Sequence, residues 1–270
     1  MYDPAYGRFT GVDPLADSYA AYTPYHYVLG NPLRFVDPDG RSVESTIVRE
    51  YTGRSGRRGG TDRKRYEVIE VIDDGKTDVK LEDGTIIGHT LSPFSFKNGQ
   101  GAPVIGAIID VDSDEASKFL SAIVEINPVL SHYMPKAIRG NSWDFKNNRT
   151  NNAVLSGLTA AQHLYRGFKF SSGLIMTARD VGNYAAGLVA ARNHLSWSNT
   201  RTGFDGYETI DRDGFFQLFS EWRSESVVSQ VAQQAGYKVG LHLERIDLYN
   251  ATFGSPQHKP PFNLKRYFGY

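Results

Sequence analysis

The chain has 270 residues, 40% hydrophobic and 22% charged, with 30 basic side chains against 30 acidic ones and no cysteine. This composition supports one or two packed domains and excludes wholesale disorder. Zero formal charge removes whole-molecule attraction to nucleic acid or anionic lipid, though not a local patch, and the lack of cysteine removes disulfides, thiolate metal sites and cysteine nucleophiles.

Residues 1–40 hold six tyrosines (Tyr2, Tyr6, Tyr19, Tyr22, Tyr25, Tyr27) and five prolines, with Asp-Pro at Asp3-Pro4, Asp13-Pro14 and Asp37-Pro38. Pro blocks helix interiors and Asp-Pro favours turns, so short aromatic strands broken by tight turns are expected, ending at Asp39-Gly40. Such hairpins are marginal alone, and the segment reads as the end of a larger β-structure. Its start has neither the basic n-region nor the apolar h-region of a signal peptide. No run along the chain approaches the ~20 apolar residues of a membrane helix.

In residues 41–65, Gly53, Gly56, Gly59 and Gly60 alternate with Arg49, Arg54, Arg57, Arg58, Arg63, Lys64 and Arg65. A flexible basic linker is expected, with a phosphate-binding arm as the functional alternative. Residues 66–111 read as a small antiparallel β-meander. Tyr66–Ile72, Thr77–Leu81 and Thr85–Ile87 are its strands, with turns at Asp74-Gly75 and Asp83-Gly84.

From residue 112 to 270 the pattern is mainly helical. Asp112 and Glu115 fit an N-cap and capping box before Phe119, Leu120, Ile123 and Val124, and Pro128 ends that helix. Thr159 caps a second helix over Ala160–Tyr165. Asp180 caps a third, whose Gly182, Ala185, Ala186, Gly187, Ala190 and Ala191 make it narrow enough for close backbone approach. Further helices are expected near 204–210, 215–222 and 226–235, and the tail after Asn250 wraps the surface. The predicted class is α+β: a short β-strand remnant and a small antiparallel meander, then a mainly α-helical domain.

Tyr2-Asp3-Pro4, Gly7-Arg8-Phe9, Asp13-Pro14-Leu15, Pro24-Tyr25, Tyr27, Asn31-Pro32 and Asp37-Pro38-Asp39-Gly40 stand in order. This run closely resembles the end of the Rhs (YD-repeat) core. The resemblance implies a β-shell upstream, a junction after Gly40 and a variable C-terminal toxin beyond it. Some members cleave themselves at this junction with two aspartates, matched here by Asp13 and Asp37. Ala16 replaces the glycine of that pattern, so turn-forming aspartates are expected instead. The chain then reads as an Rhs tip or a piece of a longer product. The resemblance also implies secretion or delivery into a target cell, and a cognate immunity protein as partner.

Within the helical part, Trp143-Asp144-Phe145-Lys146 is followed by Asp180-Val181-Gly182-Asn183 and, four residues on, Gly187. This pair of elements resembles the polymorphic toxin type 44 group, with Ala185 where that group often has a histidine or tyrosine. The resemblance points to Asp144, Lys146, Arg179, Asp180 and Asn183 as site residues. Lys146 and Arg179 would hold phosphate, and Asp180 would orient a base, water or metal. Read from the residues alone, Asp180 is either a capping residue of a packed central helix or, with Asn183, part of a cleft at the helix start. His163, beside Gln162 and Arg166, is either a packed helix residue or the base of metal-free RNA cleavage.

No pair among the seven histidines has the His-Glu-x-x-His spacing, so no zinc site and no cofactor are expected. Asp205, Glu208, Asp211 and Asp213 read as a solvated turn. The expected function is an Rhs-associated effector acting as a nuclease, with RNA first. Its rivals are an envelope hydrolase using paired carboxylates such as Asp144 and Asp180, and a non-enzymatic binding tip or inactive orphan cassette. A cleft joining 143–146 to 179–183 separates the first two from the last.

Overall fold

The computed structural model describes residues 2–3, 8–9, 44–51, 64–147, 158–213 and 226–253. The Asp13 and Asp37 motifs, the Gly40 junction, the basic run 52–63, the helix expected at 215–222 and the tail beyond 253 lie outside them. At the start of the chain, β1 (Tyr2–Asp3) pairs antiparallel with β2 (Arg8–Phe9).

The described chain is α+β, but the β part is a closed barrel, not the expected meander. Its strands are β3 (Glu44–Glu50), β4 (Arg65–Asp73), β5 (Asp78–Leu81), β6 (Ile86–Thr90), β7 (Ile108–Asp110), β8 (Gly167–Lys169) and β9 (Leu174–Thr177). Around the barrel the order is β3-β4-β7-β8-β9-β6-β5. The Asp83-Gly84 turn joins the paired strands β5 and β6, with Gly84 at φ +85. Asp74-Gly75 turns the chain as expected, but β4 and β5 do not pair there. Instead β3 lies between them, antiparallel to β4 and parallel to β5.

Strand β3 falls in the segment expected to be linker. Its Ser45-Thr46-Ile47-Val48 core is β-prone, and Ser45, Thr46 and Val48 are buried. The charged residues that suggested a solvated run sit at its end, where Arg49 pairs with Glu67 across the strands. Strands β8 and β9 come from the segment read as helical. They form a hairpin across Ser171-Ser172-Gly173, with Gly173 at φ +85.

The barrel interior is packed by Val48, Tyr66, Val68, Val79, Phe96, Ile109 and Ile175. Hairpin β8–β9 carries Ile175 on this face and Phe168 and Met176 on the other. The second face meets the helical layer: α1 (Glu115–Ile126), α2 (Leu130–Ala137), α3 (Ala160–Leu164), α4 (Ala178–Arg192), α5 (Trp197–Asp213) and α6 (Val227–Phe253). Helix α4 is the centre of that layer, with Val181, Tyr184, Ala185, Leu188 and Ala191 all buried. Among the described residues, no helix is long and apolar enough to cross a membrane.

Two expected caps differ. Helix α1 starts after Asp114, not Asp112, because Glu115 is drawn inward to Arg166. Helix α4 is capped by Thr177, whose extended backbone (φ −73, ψ 162) presents its hydroxyl to the Asp180 N–H. Asp180 stands three residues in and accepts back from the Thr177 N–H, completing the reciprocal pair.

Helices α4 and α6 touch backbone to backbone. A methyl on Gly187 would overlap the Gln233 carbonyl, and one on Gly236 would overlap the Tyr184 carbonyl. Gly236→Ala should therefore destabilise the fold by about 3 kcal/mol, since neither helix backbone can give way cheaply. Gly203 in α5 has open space around its Cα. Gly203→Ala should stabilise by up to ~1 kcal/mol through helix propensity alone. Urea midpoints of the two variants against the parent chain check both signs.

Candidate functional site

The loop after α2 is folded by its own polar groups. The Trp143 N–H donates to the Lys136 carbonyl at 2.8 Å, and Asn141 Nδ2 donates to the Pro135 carbonyl at 2.7 Å. Asp144 is the organiser. One carboxylate oxygen accepts from the Gly140 N–H at 2.7 Å, and the other accepts from the Asn147 N–H at 3.2 Å. Gly140 has φ +84, which a side chain would strain. These bonds fix Trp143, Asp144, Phe145 and Lys146 as one rigid turn against α2 and α4.

Trp143 is held by three neighbours. His132 stacks on it at 5.4 Å, Tyr133 lies tilted at 5.8 Å, and the Lys136 ammonium sits 4.6 Å from its ring. Phe145 points the other way, into the core, against Phe119 and Phe168. Lys146 crosses to α4 and donates to Asn183 Oδ1 at 3.1 Å. That contact fixes the amide orientation, because the reverse would set Nδ2 against an ammonium. Asn183 is 1% exposed, and its Nδ2 has no hydrogen-bond partner among the described residues.

These groups line a small cleft of about 60 Å³. Trp143, Asp144, Phe145 and Lys146 form one wall and Gly182, Asn183 and Ala186 of α4 another. Tyr133, Met134 and Ala137 of α2 add an apolar side, and Phe204 of α5 and Gln233 of α6 complete it. The cleft thus joins residues 143–146 to Gly182 and Asn183, the last two of the 179–183 segment singled out in the sequence. Burial and the negative charge of Asp144 push the Tyr133 hydroxyl far above its ordinary range, so it stays protonated.

Three candidates stand elsewhere. Arg179 does not line the cleft. Its guanidinium donates to the carbonyls of Lys97 (2.7 Å), Phe94 (2.6 Å) and Ser95 (3.2 Å), pinning that loop to the start of α4. Asp180 is fully buried in the α4 cap rather than open to the cleft. His163 lies behind Phe145, donating from Nε2 to the Phe145 carbonyl at 3.0 Å. A carbonyl only accepts, so His163 is the neutral Nε2–H tautomer, and burial holds its pKa below the ordinary value. In place of these, the fold brings in Tyr133, Phe204 and Gln233. Gln233 is 2% exposed and accepts from Arg201 Nη1 at 2.6 Å. Of the expected acidic turn near 205–213, Asp205 pairs with Arg201, and the side chains of 207–213 lie outside the described residues.

No protein-family model matches the chain, and no solved structure matches it. Over 204 residues it is 27% identical to Salivary gland surface protein 1 of Aedes aegypti. That alignment covers 70% of this chain and 5% of that protein, so the chain spans a small fraction of the relative's length.

The depressed pKa of His163 gives a pH dependence with a definite sign. Its unfolded value is 6.5. Below pH 6.5 the unfolded chain takes up a proton that the folded chain refuses, so stability falls as pH falls, levelling off below the folded value. His163→Gln keeps a donor for the Phe145 carbonyl and should flatten this loss between pH 6.5 and about pH 5, as read from urea midpoints across that range.

Proposed function

We propose that the chain is the C-terminal effector of an Rhs-type protein and that its cleft binds and cleaves RNA. The observation that carries this reading is the cleft itself, where the Trp143–Lys146 turn meets Gly182 and Asn183 of α4. Among the described residues its polar groups include the Lys146 ammonium, an Asn183 amide donor without a partner and one carboxylate, Asp144. A phosphodiester needs cationic and neutral donors for its non-bridging oxygens and an acceptor for the attacking hydroxyl. Both kinds are present.

In this reading the 2′-oxygen attacks phosphorus and its proton passes to the Asp144 carboxylate. The bond from phosphorus to the 5′-oxygen breaks, that oxygen takes a proton from water, and the hydroxide so formed takes back the proton held by Asp144. Lys146 offsets the charge that grows on the phosphorane. Asp144 retains acceptor capacity at Oδ2, which accepts one hydrogen bond, whereas Oδ1 accepts two from Asn147. Arg179 and Asp180 contribute by holding the start of α4, and His163 by supporting Phe145. The envelope-hydrolase alternative needs two carboxylates facing one substrate. Asp144 faces the cleft, whereas Asp180 is enclosed in the α4 cap.

Expression of the full chain in a bacterial cytoplasm should arrest growth and fragment RNA. Removing one preorganised donor at a phosphoryl centre typically costs about 10²–10³ in rate. Lys146→Ala and Asn183→Ala should each slow RNA cleavage by about that factor in purified form. Arrest only after export to the periplasm would transfer the case to the envelope alternative. Folded protein with no arrest in either compartment would end the effector reading.

A further inference from the structure

Gly182 lies in the second turn of α4, where alanine is intrinsically favoured by about 1 kcal/mol. Nothing in its backbone requires glycine, since its φ is not among the positive values. Its surroundings do. A methyl on Gly182 would stand 2.6 Å from Lys146 Cγ, 3.3 Å from Cδ and 3.6 Å from Cε. Non-bonded carbons settle at about 3.5–4.0 Å, so the Lys146 stem would have to leave its path. Two glycines of the α4–α6 contact differ in kind. Around Gly187 and Gly236 the nearest atoms are backbone of the facing helix, and around Gly182 all three belong to one lysine side chain.

We propose that Gly182 is a positioning residue for the cleft. The space left by its missing side chain is a groove in which the Lys146 stem crosses α4. That groove delivers the ammonium to Asn183 Oδ1 at 3.1 Å and so leaves Asn183 Nδ2, a buried donor without a partner among the described residues, beside it. The two nitrogens form a paired donor seat for one anionic oxygen, such as a non-bridging phosphate oxygen. The choice of phosphate rests on the RNA-cleaving reading; the groove does not.

The test uses the full chain. A limiting amount of an amine-acylating reagent is added, and acylation of Lys146 is compared with that of Lys118 by peptide mass spectrometry. Lys118 is the internal standard, with its side chain 75% exposed. Gly182→Ala should raise the Lys146-to-Lys118 ratio several-fold, as should Asn183→Ala. A ratio unchanged by Gly182→Ala overturns the proposal. A second arm holds if the single variant folds poorly. In a Lys146→Ala background the groove is empty, and Gly182→Ala should raise Tm by about 2–4 °C. With Lys146 present that rise should be smaller or reversed. Equal shifts in both backgrounds overturn the proposal. RNA cleavage by Gly182→Ala should fall towards the level of Lys146→Ala. A parent chain that cleaves no RNA defeats the functional reading alone, because labelling and melting still decide the role of Gly182.

Discussion

The described fold depends on one buried guanidinium. Arg166 sits in the connector between α3 and β8 and is 1% exposed. It donates to Asp110 at the end of β7 (2.7 Å), to both oxygens of Glu115 in the first turn of α1 (2.8 and 3.2 Å) and to Ser113 (3.3 Å). Its face lies 4.7 Å from the Phe168 ring, and its carbonyl accepts from Ala178, the first residue of α4. One residue thus ties the barrel to α1 and to the helix that carries the cleft. Burying such a charge is costly, and the arrangement is favourable only because several acceptors converge on it. Loss of one partner from such a buried pair typically costs about 3–5 kcal/mol.

From that anchor the cleft follows by short steps. The Thr177–Asp180 cap fixes where α4 begins, and Arg179 locks the barrel loop 94–97 beneath it. Three residues on, Asn183 points to the side facing the Trp143–Lys146 turn. The glycine seam with α6 then brings Gln233 to the far wall. Arg179 and Asp180, singled out in the sequence, act here as fasteners, and of that candidate set the cleft is lined by Asp144, Lys146 and Asn183.

Much of the helical layer was legible, since Leu120, Ile123 and the small residues of α4 show their periodicity and spacing directly. The pairing of 143–146 with 182–183 was legible only through resemblance, because nearly forty residues separate them. The barrel was not. Strand β3 is short and ends in charge, so its composition merges with the basic run that follows. Hairpin β8–β9 carries a turn signal in Ser171-Ser172-Gly173, yet it is flanked by helices, and its two-faced burial leaves no polar alternation to read. Helix α2 was hidden by Pro135, an interior proline that normally argues against a helix. Asp180 reads in the sequence as the cap of α4, yet Thr177 offers the same chemistry three residues earlier. Gln233 gave no signal, because only the α4–α6 contact turns it toward the cleft.

The closed barrel has a consequence for synthesis. Strand β6 ends at Thr90, and its partner β9 begins about eighty residues later, at Leu174. Strand β7 likewise waits for β8. A ribosome adds roughly 5–20 residues per second, so the β6 edge stays unpaired for roughly 4–16 s and the β7 edge for roughly 3–11 s while the intervening helices emerge. Exposed edges of this kind invite pairing with other chains. The nascent first half is therefore a natural client for chaperones, and Ile86, still half exposed in the finished fold, lies on the strand that waits longest.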